Sequence, residues 1–224
     1  TEGVWLEDCT FQLNQSPIDN VEVLKVRGGC IYMDIGASGN FEMHRCIFEG
    51  NISHYGAAAY VDGAMNSTAN AQAVDCVFNM NNSRYGILFY SDAPAIVDRC
   101  IFQENYLSSH ASLYFRYSTP EVRNSLFTGN KSDQYGAGIY MNTVVDGAII
   151  RNCTLAGNYA GYAGGAVAIV NETVLDIYNT IMWNNEANNE GDNMEVSDDS
   201  TLNTYNCLYD DGAESMNIIA GGAH

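Results

Sequence analysis

Three kinds of side chain recur in this sequence at intervals that suit chemistry. Asp34, Asp62 and Asp92 each close a similar phrase: Gly28-Gly-Cys-Ile-Tyr-Met-Asp34, Tyr55-Gly-Ala-Ala-Ala-Tyr-Val-Asp62 and Tyr85-Gly-Ile-Leu-Phe-Tyr-Ser-Asp92. Asn142, Asn171 and Asp198 continue the series. Carboxylates brought to about 5 Å repel one another and call for solvent, hydrogen bonds or a cation. Oxygen ligands of this kind suit Ca²⁺, so this column is the candidate metal site, although no cofactor is required by any motif. Tyrosine is the second kind. Tyr55, Tyr85, Tyr135 and Tyr162 stand just before glycines, and Tyr32, Tyr60, Tyr90, Tyr114 and Tyr140 form another series. Such rows either stack to stiffen a fold or present an aromatic face to a sugar or a partner subunit. The third kind is cysteine. Cys9, Cys46, Cys76, Cys100, Cys153 and Cys207 open the same phrase, Ser125 and Thr180 stand in for it twice, and Cys30 lies apart.

Catalytic constellations are harder to assemble. Asp62 and Asp92 on adjacent repeats approach the spacing of a glycosidase acid and base. The Asn-Thr-Asp, Asp-Asp, Gly-His-Gly and Arg-Ile-Lys phrases of the polygalacturonase family are absent. Arg84, Arg99, Arg116 and Arg123 form no evident cluster for lyase chemistry, and His44, His54 and His110 fit no triad spacing. These residues predict no catalytic site.

The elements that position these residues follow from an internal repeat. The phrase reads Cys9-Thr-Phe-Gln-Leu-Asn14, Cys46-Ile-Phe-Glu-Gly-Asn51, Cys76-Val-Phe-Asn-Met-Asn81 and Cys100-Ile-Phe-Gln-Glu-Asn105. It continues as Ser125-Leu-Phe-Thr-Gly-Asn130, Cys153-Thr-Leu-Ala-Gly-Asn158, Thr180-Ile-Met-Trp-Asn-Asn185 and Cys207-Leu-Tyr-Asp-Asp-Gly212. A lead-in with apolar residues two apart, such as Phe41 and Met43 or Ala148 and Ile150, precedes each copy, and period two is the strand period. Each repeat therefore carries three short strands between Gly or Asn turns. A unit of that size closes no core alone, but stacked in parallel each strand pairs with its copy about 4.8 Å away. The expectation is an all-β fold, a right-handed parallel β-helix of about eight coils and roughly 40 Å, forming one domain over residues 1–224. A leucine-rich repeat would need its Leu-x-x-Leu-x-Leu phrase, and a β-propeller a longer period.

The stacked register assigns the columns. Neighbouring cysteines at about 4.8 Å exceed the usual Cβ separation of a disulfide, about 3.8 Å, so the cysteines read as a ladder of buried free thiols. No Cys-x-x-Cys pair supports metal binding. Asn14, Asn51, Asn81, Asn105, Asn130, Asn158 and Asn185 read as an amide ladder at a bend. Phe11, Phe48, Phe78, Phe102 and Phe127 read as an internal stack. Among the Asn-x-Ser/Thr sequons, Asn66 in the turn 63–70 is the best glycosylation candidate, because several others coincide with the ladder.

Composition narrows the partners. The 224 residues hold nine Lys and Arg against 27 Asp and Glu, a net charge of −18 with only two lysines, which excludes phosphate-backbone recognition. With 25 Asn, 21 Gly and three Pro, turns dominate. No apolar run reaches the ~20 residues of a transmembrane helix. The acidic stretch 186–214 reads as a solvated surface.

The Cys/Ser-x-Phe-x-x-Asn and Gly-Gly-Ala phrases resemble the repeats of polymorphic outer-membrane proteins. Tyr178-Asn-Thr-Ile-Met-Trp-Asn-Asn and Tyr205-Asn-Cys-Leu-Tyr are similar to the last coils of bacterial choice-of-anchor surface β-helix proteins. The resemblance implies a secreted or cell-surface setting with adhesion or scaffolding as the role. One coil departs from it: His110-Ala-Ser-Leu-Tyr-Phe lacks the glycine pair, so its turn should differ. Val4-Trp-Leu-Glu-Asp-Cys9 and the stretch 216–224 both read as coil without a capping helix, and the insertion 14–28 with Pro17 reads as a loop. The expectation is a fragment of a longer solenoid or an uncapped subunit that self-associates end to end or laterally. A carbohydrate-binding or polysaccharide-cleaving β-helix is the alternative.

Overall fold

The structure, a computed structural model, describes residues 3–15, 27–64, 68–144, 147–189 and 191–210. Every element among them is a strand, and every strand pairing is parallel. The chain winds as a β-solenoid, as the repeat requires. Four sheets run along the rod, numbered here in the order the chain meets them within a coil. In the second coil they receive Asn40–His44, Ile47–Glu49, Ile52–Tyr55 and Ala59–Gly63. Sheets 1 and 2 hold eight strands each, sheet 3 six and sheet 4 seven. Six coils are complete, flanked by partial first and last coils.

A complete coil thus has four strands rather than the three the sequence suggests. The additional strand, in sheet 3, was masked by its composition. Its inward residues include Ser53, Ser83, Ser132 and Ala160, all buried, so no apolar alternation marks it. The serine hydroxyls are satisfied locally: Ser53 Oγ donates to the Tyr55 carbonyl at 3.2 Å and Ser132 Oγ to the Ser109 carbonyl at 2.6 Å.

The coils keep their shape because most corners hold a left-handed residue. Between sheets 1 and 2 these are Asp8, Arg45, Asp75, Arg99, Asn124, Asn152, Asn179 and Asn206, with φ between 48 and 56°. Asn and Asp adopt this conformation at low cost, whereas Arg does not. The two strained arginines are held by their neighbours: Arg45 Nε donates to Asp8 at 2.7 Å and Arg99 Nε to Asp75 at 2.7 Å. At the corner before sheet 4 the demand is steric as well. Gly56 has φ 59°, and a Cβ there would lie 2.4 Å from the Ala59 carbonyl oxygen.

The lumen is close-packed with apolar side chains. Phe11, Phe48, Phe78, Phe102 and Phe127 stack with centroids 4.4 to 5.2 Å apart and planes within 10°. Ala71, Ala95, Val97, Val122 and Ile150 fill the facing wall. Cys46, Cys76, Cys100 and Cys153 are buried in the same core, and all seven cysteines are free thiols. Burial pushes the thiols of Cys46 and Cys153 up to about 11. They act as small apolar groups whose Sγ atoms lie 3.3 Å from the carbonyls of His44 and Arg151.

Candidate functional site

The residues singled out above gather in three places: the amide ladder, an aromatic corner outside the lumen, and the acidic register of sheet 4. The ladder runs unbroken through seven coils. Asn14 Nδ2 donates to Asn51 Oδ1 at 2.9 Å, and the same bond joins Asn51 to Asn81, Asn81 to Asn105, Asn105 to Asn130, Asn130 to Asn158 and Asn158 to Asn185 at 2.9 to 3.1 Å. Each Oδ1 also accepts the backbone N–H of the preceding ladder residue, as Asn81 Oδ1 does from Asn51 at 2.9 Å. From Asn51 onward, the second amide proton goes to a backbone carbonyl one coil back, as from Asn105 to Phe78 at 2.9 Å. Beyond Asn185 the chain continues through Asn193 and Asp210, at 2.9 and 2.8 Å. The sequence reading missed these two, because residue 212 holds the expected column position.

The aromatic corner lies where sheet 3 meets sheet 4. Tyr55, Tyr85 and His110, the last residues of their sheet 3 strands, stand in register with Tyr135, which forms an isolated bridge beyond the strand Lys131–Ser132. Against them packs the outward column of sheet 4: Tyr32, Tyr60, Phe89, Tyr114 and Tyr140. Tyr60, Phe89, Tyr114 and Tyr140 are buried in a cluster separate from the lumen.

Two assignments change here. Tyr90 does not belong to the outer column; it faces the lumen in register with Val61 and Phe115, and Phe89 takes its place. The cause is a bulge: the N–H groups of Ala58 and Ala59 both donate to the Ile87 carbonyl, at 2.9 and 3.3 Å, which shifts everything after them by one residue. Tyr162 is likewise displaced. Ala163 pairs opposite Tyr135, and Tyr162, 45% exposed, sits one residue earlier, because both of their N–H groups donate to the Gln134 carbonyl. In the coil without the glycine pair, Ala111 takes the glycine position at the corner without a left-handed φ, and the register shift before His110 absorbs the difference.

The stacking geometry decides what the corner can do. Tyr55 and Tyr85 stack at 4.8 Å and 15°, and Tyr60 and Phe89 at 4.6 Å and 15°. Across the corner the rings meet edge to face, Tyr55 with Tyr60 at 88° and His110 with Tyr140 at 87°. The faces that meet in these stacks are covered by one another, whereas Tyr32 and Tyr162 at the same corner stay about half exposed. Burial raises the phenol of Tyr60 and pushes that of Tyr114 up to about 12. Burial also drives His110 down to about 4, with the nearby charge of Arg84 adding to the effect. A neutral His110 lets its Nδ1–H donate to Ser109 Oγ at 2.5 Å while Ser109 donates to Gln134 Oε1 at 3.0 Å.

The same bulge breaks the acidic register. Asp34 pairs with Asp62, but Ser91 follows, then Arg116 and Asn142; Asp92 lies one residue beyond, in a left-handed turn. Ser91 Oγ donates to Asp92 at 2.7 Å, Arg27 Nη1 donates to Asp62 at 2.8 Å, and the Gly36 N–H donates to Asp34 at 3.0 Å. Asp62 is raised by burial, partly offset by Arg27. No group of three or more His, Cys, Asp or Glu suited to a metal ion occurs among the described residues. Asn66, Glu190 and residues 211–214 of the acidic stretch lie outside the described residues, as do the loop 16–26 and the stretch 216–224. Asp192 accepts the Ala187 N–H at 2.9 Å, and Asp199 accepts Ser197 Oγ at 2.5 Å. These carboxylates are engaged within the coil instead of only facing water. A hollow of about 440 Å³ opens beside Gly3, Val4, Met33 and Asn40, with Asp34 the only ionisable residue lining it among the described residues.

Comparisons add no name. The chain matches no family model, no curated protein and no solved structure. The outer-membrane and surface-anchor likeness therefore rests on the repeat phrases alone, while the β-helix repeat architecture stands on the geometry. No helix among the described residues is long and apolar enough to cross a membrane.

Proposed function

We propose that this protein is a non-catalytic scaffold: a stiff β-solenoid rod that serves as an adhesin stalk or filament subunit in an extracellular or cell-surface setting. The observation that carries this reading is the amide ladder, unbroken from Asn14 to Asn185 and prolonged to Asp210. It supports a structural role because the most regular polar groups of the chain are directed at the next coil and leave little to offer a ligand. Tyr55, Tyr60 and Tyr85 support it in the same way, being stacked in the corner on one another or on Phe89. The setting is supported by the repeat phrases shared with surface β-helix proteins. Self-association is the partner most in keeping with a rod of this kind.

Negative-stain electron microscopy of the purified protein, paired with a screen for cleavage of acidic and neutral polysaccharides, tests the proposal. Rods or filaments of uniform width with no cleavage are expected. Turnover of any polysaccharide that persists in independent preparations would overturn it.

A further inference from the structure

The outer side of sheet 2 differs from every other face of the rod. Its strands are three residues long in seven of eight coils, and the middle residue points into the lumen. The leading outward residues stand in one register: Ile47, Val77, Ile101, Leu126, Ile181 and Leu208, interrupted only by Thr154 after Thr10 begins the row. Beside it runs a second row of Gln12, Glu49, Asn79 and Gln103, ending at Trp183. Its polar members bond to one another, Gln12 to Glu49 at 2.7 Å, Asn79 to Glu49 at 3.1 Å and Gln103 to Asn79 at 3.1 Å. Glu49 is the one ionisable side chain among the outward residues described on this face.

Of the twelve large hydrophobic residues exposed among the described ones, Ile47, Ile181, Trp183 and Leu208 lie on this face, and Leu13 and Met80 at the corner beside it, in one column with the exposed Glu104. The other faces are unlike it. Sheet 1 carries an ion-paired row outside, in which Arg123 bridges Asp98 and Glu121, each at 3.3 Å. The corner of sheets 3 and 4 is closed on itself by aromatic rings.

We infer that this face is a self-association surface, on which a second copy of this chain packs sheet to sheet. The charge of the molecule points to that partner. Two copies at −18 each repel over most of their surfaces, and this nearly uncharged stripe is where they can approach. The partner's rungs repeat at the same ~4.8 Å, so side-chain ridges and grooves mesh along the whole stripe. A two-fold axis lying in the interface plane, perpendicular to the rod, sets the Ile47 end of one rod against the Trp183 end of the other. Eight rungs about 4.8 Å apart, and a width of about four residues, give a stripe of roughly 34 by 13 Å. That is about 440 Å² per copy, against the ~800 Å² of a standard stable interface, so the association is weak and reversible. It also strengthens with salt, because screening removes repulsion while the apolar contact remains.

The inference deepens the scaffold reading by naming the partner, and its test separates the two. Sedimentation velocity of the full chain, from low micromolar to sub-millimolar concentration, is compared at roughly 0.05 and 0.5 M NaCl. A monomer–dimer equilibrium is expected that tightens at the higher salt. The double variant I47K/I181K should weaken it at least about tenfold, because two charges enter the apolar row. The charge-matched control I96K/I149K, on the outer side of sheet 1, should leave it unchanged. If the lysine variant fails to fold, I47T/I181T removes apolar area while keeping β-branched strand formers. A monomer at every concentration and salt would overturn the inference, as would equal weakening by the sheet 1 control. Monomeric rods without polysaccharide cleavage would do so while leaving the scaffold reading intact.

Discussion

Replacing Asn105 by alanine puts the amide ladder to a quantitative test. Its Oδ1 accepts the N–H of Asn81 at 2.9 Å and the Asn81 side chain at 3.1 Å, while its Nδ2 donates to Phe78 and Asn130, both at 2.9 Å. The residue is 1% exposed, so water cannot replace it. Truncation deprives the Asn81 backbone N–H of its acceptor and the Phe78 carbonyl of this donor. Asn81 Nδ2 keeps its bond to Phe48, and Asn130 Oδ1 keeps the N–H of residue 105. Each buried group left without a partner costs about 1–3 kcal/mol, so the expected loss is about 3–4 kcal/mol. For a chain of this size that corresponds to a fall in Tm of roughly 6–16 °C. Asn14→Ala is the internal control. Asn14 is exposed, and alanine keeps its backbone bond to Asn51 Oδ1, so the cost should stay below about 1 kcal/mol. Thermal melts by circular dichroism, with urea titration as a second measure, distinguish the two sites. Equal losses at both positions, or a loss below about 1 kcal/mol at Asn105, would refute the idea that the ladder holds coil to coil.

Other outcomes are as definite. His110 is held neutral with a pKa of about 4, below the 6.5 of the unfolded chain, so its contribution to stability is present above pH ~6.5 and is lost as pH falls toward 4. The loss is about 3 kcal/mol, and an NMR titration of His110 with a midpoint near 6.5 would contradict it. Alkylation of the native protein should modify Cys9, Cys30 and Cys207, which are only partly buried, and spare Cys46, Cys76, Cys100 and Cys153 until denaturant is added. Peptide mapping that finds Cys100 labelled in the native rod would contradict the burial. Phe102→Ala, which removes a ring stacked 4.4 Å from Phe78 and 4.7 Å from Phe127, should cost about 3–5 kcal/mol in the same urea titration. Millimolar Ca²⁺ should leave Tm within about 1 °C, because Arg27 already neutralises Asp62 and Arg116 interrupts the register; a larger rise would revive the acidic column as a cation site.

The columns legible in the sequence are those in which one residue type recurs at a rigid distance from the Cys position. Cysteine, Phe and Asn lie within six residues of one another, with one tight corner between them, so no slip can accumulate. The Tyr and Asp columns lie beyond the glycine corner, where coils differ by one residue in how they turn. A period-two strand converts that one residue into a change of face. Tyr90 therefore moved into the lumen and Asp92 out of the acidic row, although both align by residue type with Tyr60 and Asp62. His110 was not placed in the tyrosine column because its strand, Tyr106–His110, is one residue longer than its neighbour Asn82–Tyr85. The Arg45 and Arg99 corner was equally hidden: arginine in a left-handed turn is sensible only once Asp8 and Asp75 are known to lie one coil away. The candidate site itself was legible as residue types and illegible as surfaces, since only geometry shows which rings stack on one another and which, like Tyr32 and Tyr162, stay half exposed.

The amide ladder also has a direction. Every Nδ2–H···Oδ1 bond from Asn14 to Asn185 points the same way along the rod, so the side-chain dipoles add head to tail and each bond polarises the next. In effect the rod contains the hydrogen-bonded column of an α-helix, assembled from side chains 24 to 37 residues apart in sequence. Like a helix it has a positive pole, at the end where the last amide protons emerge. There the Asp210 carboxylate accepts from Asn193, placing a negative charge where an α-helix would place its N-terminal aspartate.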